Sequence, residues 1–376
     1  MPSAFSKFMI ASGCVISALY GTENSIDVKD KAKVNDSIPQ KVQTLPENID
    51  PNSRLLKKCP TLAASIITKV YEKGKLKGIV LVDRGRPPLG QAIPGGLVRY
   101  EETFESCAKR TLFDECGILR VSNLTQFNVY SNPQRDPRMQ VIDTVFTARV
   151  DDVVLSAGTD AKHAWICPLD KIPWDTLAFD HRDILKDFLE YELSSRNPIV
   201  STEPTQSASV DIKKQSRNEN DFRTIAKKSF HPPFSASSVI IESYKKGVFK
   251  GIILIDRGKE PLGKAIPGGH VEYGEMVDFT ATREMREECN LDVKDLKLFK
   301  VYSDKDRDPR KHTVDFIQIG RVDDVTPKAG DDAAKIYIYP LDKIPWNELV
   351  FDHKQILQDY IRYRSGDTAG LCAACR

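Results

Sequence analysis

"IPGGHVEYGEMVDFTATREMREECNL", residues 266–291, decides how this chain is read. Ala281, Met285 and Cys289 recur every four residues and form one apolar helix face. Glu284, Glu287 and Glu288 stand at i, i+3 and i+4, so they share another face of that helix. Three like charges on adjacent turns repel, and a counter-charge must offset them. Arg283 and Arg286 flank the three but are expected to point partly elsewhere. A hard divalent cation, Mg²⁺ with Mn²⁺ as the alternative, takes oxygen ligands and suits this face. The pair Gly268-Gly269 is expected to turn sharply, approach a ligand closely and lend a carbonyl oxygen. For a bare "REMREE" an exposed helix with Glu/Arg pairs is the simpler reading; the glycines, Glu275 and the spacing weigh against it.

Working outward, the chain repeats itself. "IPGGLVRYEETFESCAKRTLFDECGI" (93–118) is the earlier copy, with Thr111, Asp114 and Glu115 at the three carboxylate positions. "GKLKGIVLVDRG" (74–85) matches "GVFKGIILIDRG" (247–258), and "YSNPQRDPR" (130–138) matches "YSDKDRDPR" (302–310). "PLDKIPWDTLAFDH" (168–181) matches "PLDKIPWNELVFDH" (340–353). Each copy is about 130 residues, a whole domain rather than a solenoid unit. Within each, short β-branched runs and two helical segments predict an α/β sandwich with a mixed sheet. The expected division is a candidate signal segment at 1–21, a polar lead-in at 22–58, and domain 1 at 59–195. A linker at 196–230, domain 2 at 231–366 and a tail at 367–376 complete it.

Of 376 residues, 55 are basic and 53 acidic, so no basic excess argues for nucleic acid. No apolar run reaches about 18 residues, which excludes a stable helical membrane span. Lys7 precedes an apolar run from Phe8 to Tyr20, the length of a signal-peptide core. Export and a docked N-terminal helix in a cytoplasmic protein both fit it. Eight cysteines are too scattered for a disulfide framework, and Cys107, Cys116, Cys167 and Cys289 read as buried thiols. Cys372 and Cys375 form one isolated pair, too few for structural zinc.

The run from Gly269 through Glu275, Arg283, Glu284, Glu287 and Glu288 to Leu291 resembles the Nudix box, the signature of the Nudix hydrolases. The family's glycine is Asn290 here, a residue that tolerates the left-handed backbone of a helix end. The resemblance covers nearly all of domain 2 and implies tandem α/β/α sandwich domains that hydrolyse nucleoside diphosphates linked to another group. It implies that Glu284, Glu287, Glu288 and the Gly268 carbonyl bind the metal. Glu284 would share duty as the water-activating base, and Arg283 would pair with Glu275 to hold the loop beside Gly269. Asp331 and Asp332 are further candidates for the base. Domain 1 keeps Gly96, Glu102, Arg110 and Glu115 but loses the first carboxylate to Thr111. Asp114, the change of Asp331 to Thr159, and that of His312 to Gln140 are read with it as signs of a catalytically weak or dead domain.

The stretch 302–316 resembles the ADP-ribose pyrophosphatase branch. That makes Arg307, Arg310 and Asp332 candidate substrate-binding residues, with a structural ion-pair turn around Pro309 as the equal alternative. His181 and His353 recur in both copies and are read as structural. The expected partner is a small nucleotide, with the two domains paired within the chain or the chain paired as a homodimer. The rival class is a non-catalytic nucleotide-sensing or interaction protein.

Overall fold

The computed structural model describes residues 59–158, 161–195, 232–325 and 333–367. The N-terminal segment, the linker, Thr159, Asp331, Asp332, Cys372 and Cys375 lie outside the described residues. No helix among those described is long and apolar enough to cross a membrane.

Each repeat folds alike. Domain 1 runs β1 (Thr61–Glu72), β2 (Lys75–Arg84), β3 (Gln91–Ala92), β4 (Gly95–Leu97), α1 (Phe104–Cys116), β5 (Ser122–Tyr130), β6 (Val141–Asp151), β7 (Ala161–Cys167) and α2 (His181–Ser195). Domain 2 runs β8 (Phe234–Lys245), β9 (Val248–Arg257), β10 (Lys264–Ala265), β11 (Gly268–His270), α3 (Val277–Cys289), β12 (Lys294–Tyr302), β13 (Thr313–Asp323), β14 (Ala333–Tyr339) and α4 (His353–Arg364). In domain 2 the sheet order is β10-β9-β8-β13-β12, with β11 added to β8 and β14 to β9. The β8–β13 pair is parallel and its neighbours antiparallel, so the sheet is mixed.

Both sheet faces are covered, which is why the central strands read as continuous apolar runs. Along β9, Ile253 and Ile255 face α3, where they pack with Ala281, Met285 and Cys289. Ile252 and Leu254 face the other way, toward Ile356, Leu357 and Tyr360 of α4. Domain 1 does the same with α1 and α2. Asn290 ends α3 at φ 51° and ψ 43°, the left-handed conformation expected of it, as Gly117 ends α1 at φ 72°. Trp174 and Trp346 pack on the α2 and α4 cores.

The two domains share a core. Val271, Val277, Val301, Val314 and Phe316 of domain 2 join the cluster built on Phe104, Leu112 and Phe146 of domain 1. Hydrogen bonds across the interface come in a matched pair at the helix starts. Val277 N donates to Ser131 Oγ at 3.1 Å, and Phe104 N donates to Ser303 Oγ at 3.0 Å. Each helix therefore has an orphan N-terminal donor satisfied by the opposite repeat. His312 and Gln140 also sit at this interface, where His312 Nδ1 accepts from Glu101 N at 2.8 Å. Their difference is thus not a mark of lost chemistry, contrary to the expectation that grouped it with Thr111.

Candidate active site

The glycine pair proves to be strand rather than turn: Gly268 and Gly269 lie in β11, paired with Ser238 and Ser237 of β8. The need for glycine is close approach. A Cβ on Gly268 would stand 2.5 Å from Ser238 Cα, and one on Gly269 would fall 2.1 Å from Glu284 Oε1. The backbone is thereby laid directly over the carboxylate helix.

A cavity of about 300 Å³ opens there. Gly268, Gly269, Glu284 and Glu288 form part of its lining, and Arg257, Lys259 and Arg310 bring cationic side chains to it. Glu288 Oε2 accepts from Gly268 N at 2.9 Å, so that carboxylate is anchored to β11. Burial lifts the Glu284 carboxyl above the usual carboxylate range, against the pull of Arg283. Glu287 is more exposed and lies outside the lining.

Arg283 does more than flank the glutamates. Its Nε and Nη2 hold Glu275 at 2.8 and 3.0 Å, while Nη1 donates to Glu284 Oε1 at 2.8 Å and Glu287 Oε2 at 2.9 Å. It is therefore a counter-charge to this face, whereas Arg286 turns away to Asp292. Burial raises the Glu275 pKa, but hydrogen bonds from Arg283 and Thr280 outweigh it and hold the carboxyl low. No three His, Cys, Asp or Glu side chains among the described residues converge as placed on a metal position. The donor set nevertheless fits a hard cation: two carboxylates and a glycine-lined backbone share one cavity, and a Cβ at Gly269 would fill the space beside Glu284.

Domain 1 keeps this frame without the central carboxylate. Arg110 holds Glu102 at 2.6 Å, and Glu115 Oε2 accepts from Gly95 N at 3.2 Å. Thr111 turns its hydroxyl back onto Cys107 O and Ala108 O, and its methyl lies where a Cβ on Gly96 would meet it at 2.6 Å. An aliphatic cap thus stands where Glu284 stands in domain 2.

Arg307 is buried, and its guanidinium is taken by Asp352 at 2.7 and 2.9 Å and Asp315 at 3.2 Å. Arg135 makes the same bonds to Asp180 and Asp143 in domain 1. Arg307 also lines the cavity, but its guanidinium is committed to a structural ion pair that differs from the expected turn around Pro309, its partners being Asp315 and Asp352. Its missed partner was detectable, since an aspartate recurs at 143 and 315 in both copies. Arg310 pairs with Asp308 at 2.8 Å and donates from Nη1 to Glu260 O at 3.3 Å, yet it stays partly exposed above Phe351 and lines the cavity. Tyr302 and Phe316 are core residues.

His353 Nδ1 accepts from Ile266 N at 2.9 Å, and burial pushes its pKa down from 6.5 to about 3. His181 accepts from Ile93 N at 2.9 Å and is pushed down likewise. Because the folded values lie below 6.5, the unfolded chain binds these protons first. Their contribution is complete above pH 6.5 and is lost progressively toward pH 3. Denaturation midpoints taken across that window should fall with pH, and His353→Gln should flatten the fall. An unchanged slope in that variant would contradict the assignment.

The ADP-ribose pyrophosphatase of Methanocaldococcus jannaschii is 38% identical over 138 residues, covering 36% of this chain and 77% of that protein. Among solved structures, a MutT/nudix family protein from Enterococcus faecalis is 29% identical with a TM-score of 0.32, over 40% of this chain and 65% of that one. The NUDIX domain of Shewanella oneidensis NrtR, solved with ADP ribose, is 24% identical with a TM-score of 0.33, over 38% of this chain and 93% of that one. The NUDIX domain model matches residues 60–188 and again 233–360. The chain belongs to the Nudix family and carries its domain twice.

Proposed function

We propose that domain 2 hydrolyses the pyrophosphate bond of ADP-ribose or a related nucleoside diphosphate-linked compound, and that domain 1 is structural or regulatory. The observation that carries this reading is the domain 2 cavity, which sets Glu284 and Glu288 together with Arg257, Lys259 and Arg310. Such a pocket offers both cationic contacts for a diphosphate and carboxylates for water and metal. Glu284, Glu287, Glu288 and the Gly268 carbonyl would hold Mg²⁺ or Mn²⁺. When bound, the ion neutralises phosphate charge and acidifies the attacking water.

The chain's own groups do the rest. Glu284, its pKa raised by burial, is suited to accept a proton from water. Arg283 fixes that carboxylate in place, and Arg310 meets phosphate oxygens with the face that Asp308 leaves open. Water oxygen bonds to phosphorus as the bridging P–O bond breaks, giving AMP and a sugar phosphate from ADP-ribose. Asp332, the other candidate substrate contact, lies outside the described residues.

The test is incubation of the full chain with ADP-ribose and Mg²⁺, with AMP release followed by chromatography. AMP should accumulate and chelation should stop it. No turnover across a panel of nucleoside diphosphates would favour the non-catalytic sensing alternative.

A further inference from the structure

We propose that Gln140, a residue of the degenerate repeat, is a positioning residue for the carboxylate site of domain 2; this rests on the function proposed above. Gln140 is buried, and its amide reaches across the domain interface with both ends. Oε1 accepts from Gly274 N at 2.5 Å, and Nε2 donates to Glu275 O at 2.8 Å. The loop that enters α3 is thus held from the other domain. Ser131 holds the next free donor of that helix start, Val277 N, where the cap residue Met276 supplies no side-chain bond.

What the loop carries gives the contact its consequence. The Glu275 side chain takes two bonds from Arg283 and one from Thr280 Oγ1 at 2.8 Å. Arg283 in turn sets Glu284 and Glu287. A continuous run of hydrogen bonds therefore links Gln140 to the residues assigned to water activation and metal binding. Small displacements of such groups are costly to turnover, because the reacting geometry tolerates little error. Gln140 touches neither the cavity nor any group that reacts, so its action is through Glu275 and Arg283.

The reverse contact is built differently. His312 takes Glu101 N with Nδ1, while its Nε2 faces Ser303 O of its own domain at 3.2 Å. Of the two loops that enter the helices, only that of domain 2 is seen among the described residues to be gripped at both a donor and an acceptor by one opposing side chain, as Gln126 grips Val301 elsewhere on the interface. An amide also keeps that grip at any pH at which the fold survives, whereas an imidazole acceptor is lost on protonation. The degenerate repeat thus contributes to the site it no longer duplicates.

Gln140→Met in the full chain keeps the side-chain length and removes both bonds. Two quantities decide the matter: amide hydrogen exchange over residues 270–288, and kcat with KM for ADP-ribose. Exchange there should rise, and kcat should fall about tenfold or more with KM within about twofold, the scale seen when a supporting partner of a site residue is removed. Gln140→His restores an acceptor for Gly274 N and should recover part of the lost kcat. Unchanged exchange would overturn the proposal, as would raised exchange with unchanged kcat, which would make Gln140 a packing residue only. If Gln140→Met fails to fold, Gln140→Glu keeps the shape and the acceptor, removes the donor to Glu275 O, and is judged by the same two readouts. A wild-type chain that turns over no nucleoside diphosphate sinks the proposed function itself; an active wild type matched by its Gln140 variants sinks this inference alone.

Discussion

Glu288→Gln in the full chain is expected to lower kcat by about 10²–10³-fold, the scale for losing one group that stabilises charge in the transition state. The expectation rests on what the substitution leaves intact. Glu288 Oε2 accepts from Gly268 N at 2.9 Å, and a glutamine oxygen of the same reach can accept that bond. Volume is unchanged, so the packing of α3 on β8 and β9 is untouched, and the melting temperature should stay within about 2 °C. What disappears is the negative charge beside β11, where a divalent cation would gain most from it. Domain 1 supplies an internal control. Glu115 makes the equivalent bond to Gly95 N, yet Thr111 occupies the position of the neighbouring carboxylate. Glu115→Gln should therefore leave turnover as it was. Activity retained in Glu288→Gln would refute its assignment as a metal ligand, and equal losses in both variants would mean that domain 1 is not the silent copy.

Much of this arrangement was legible in the sequence, for a physical reason. Helical and strand periods are local, so the Ala281, Met285 and Cys289 face and the apolar β9 run could be read directly, and all are buried as expected. The repeat then tested each reading twice. It marked Arg307 as a residue retained where Glu284 is lost, which favoured a structural role, although its partners Asp315 and Asp352 lie outside the turn around Pro309 that the sequence suggested. Contacts set by docking were not legible. Ser131 and Val277 are 146 positions apart, and no period or motif relates them. Gly268-Gly269 departs from its local signal for a related reason: a glycine pair after proline signals a turn, whereas strand pairing with β8 is decided by the sheet. The pairing of Arg283 with Glu275 was expected from the resemblance, but its further bonds to Glu284 and Glu287 were not, because its reach depends on where the Glu275 loop returns.

Phe316→Ala should destabilise the whole chain, not domain 2 alone, by about 3–5 kcal/mol, the usual cost of deleting a buried phenyl ring. Phe316 is fully buried on β13 and meets Phe104, the first residue of α1, edge-on with centroids 6.3 Å apart. The cavity left behind would lie between the repeats, where Val301 and Val314 pack into the same cluster as Leu112 and Phe146. Backbone donors cross the same boundary at Phe104 N and Val277 N, so the interface resists collapse into the gap without losing hydrogen bonds. A core continuous across two domains couples their unfolding, because neither half can expose it alone. Calorimetry should show one transition, lowered by roughly 6–20 °C. Phe188→Ala, whose ring is buried with Phe127 in a core cluster of domain 1 alone, should lower the same single transition if the repeats unfold together. Two resolved transitions in the wild type, with only one displaced in Phe316→Ala, would show that the repeats unfold as separate bodies. The coupling that Gln140 depends on would then lack its foundation.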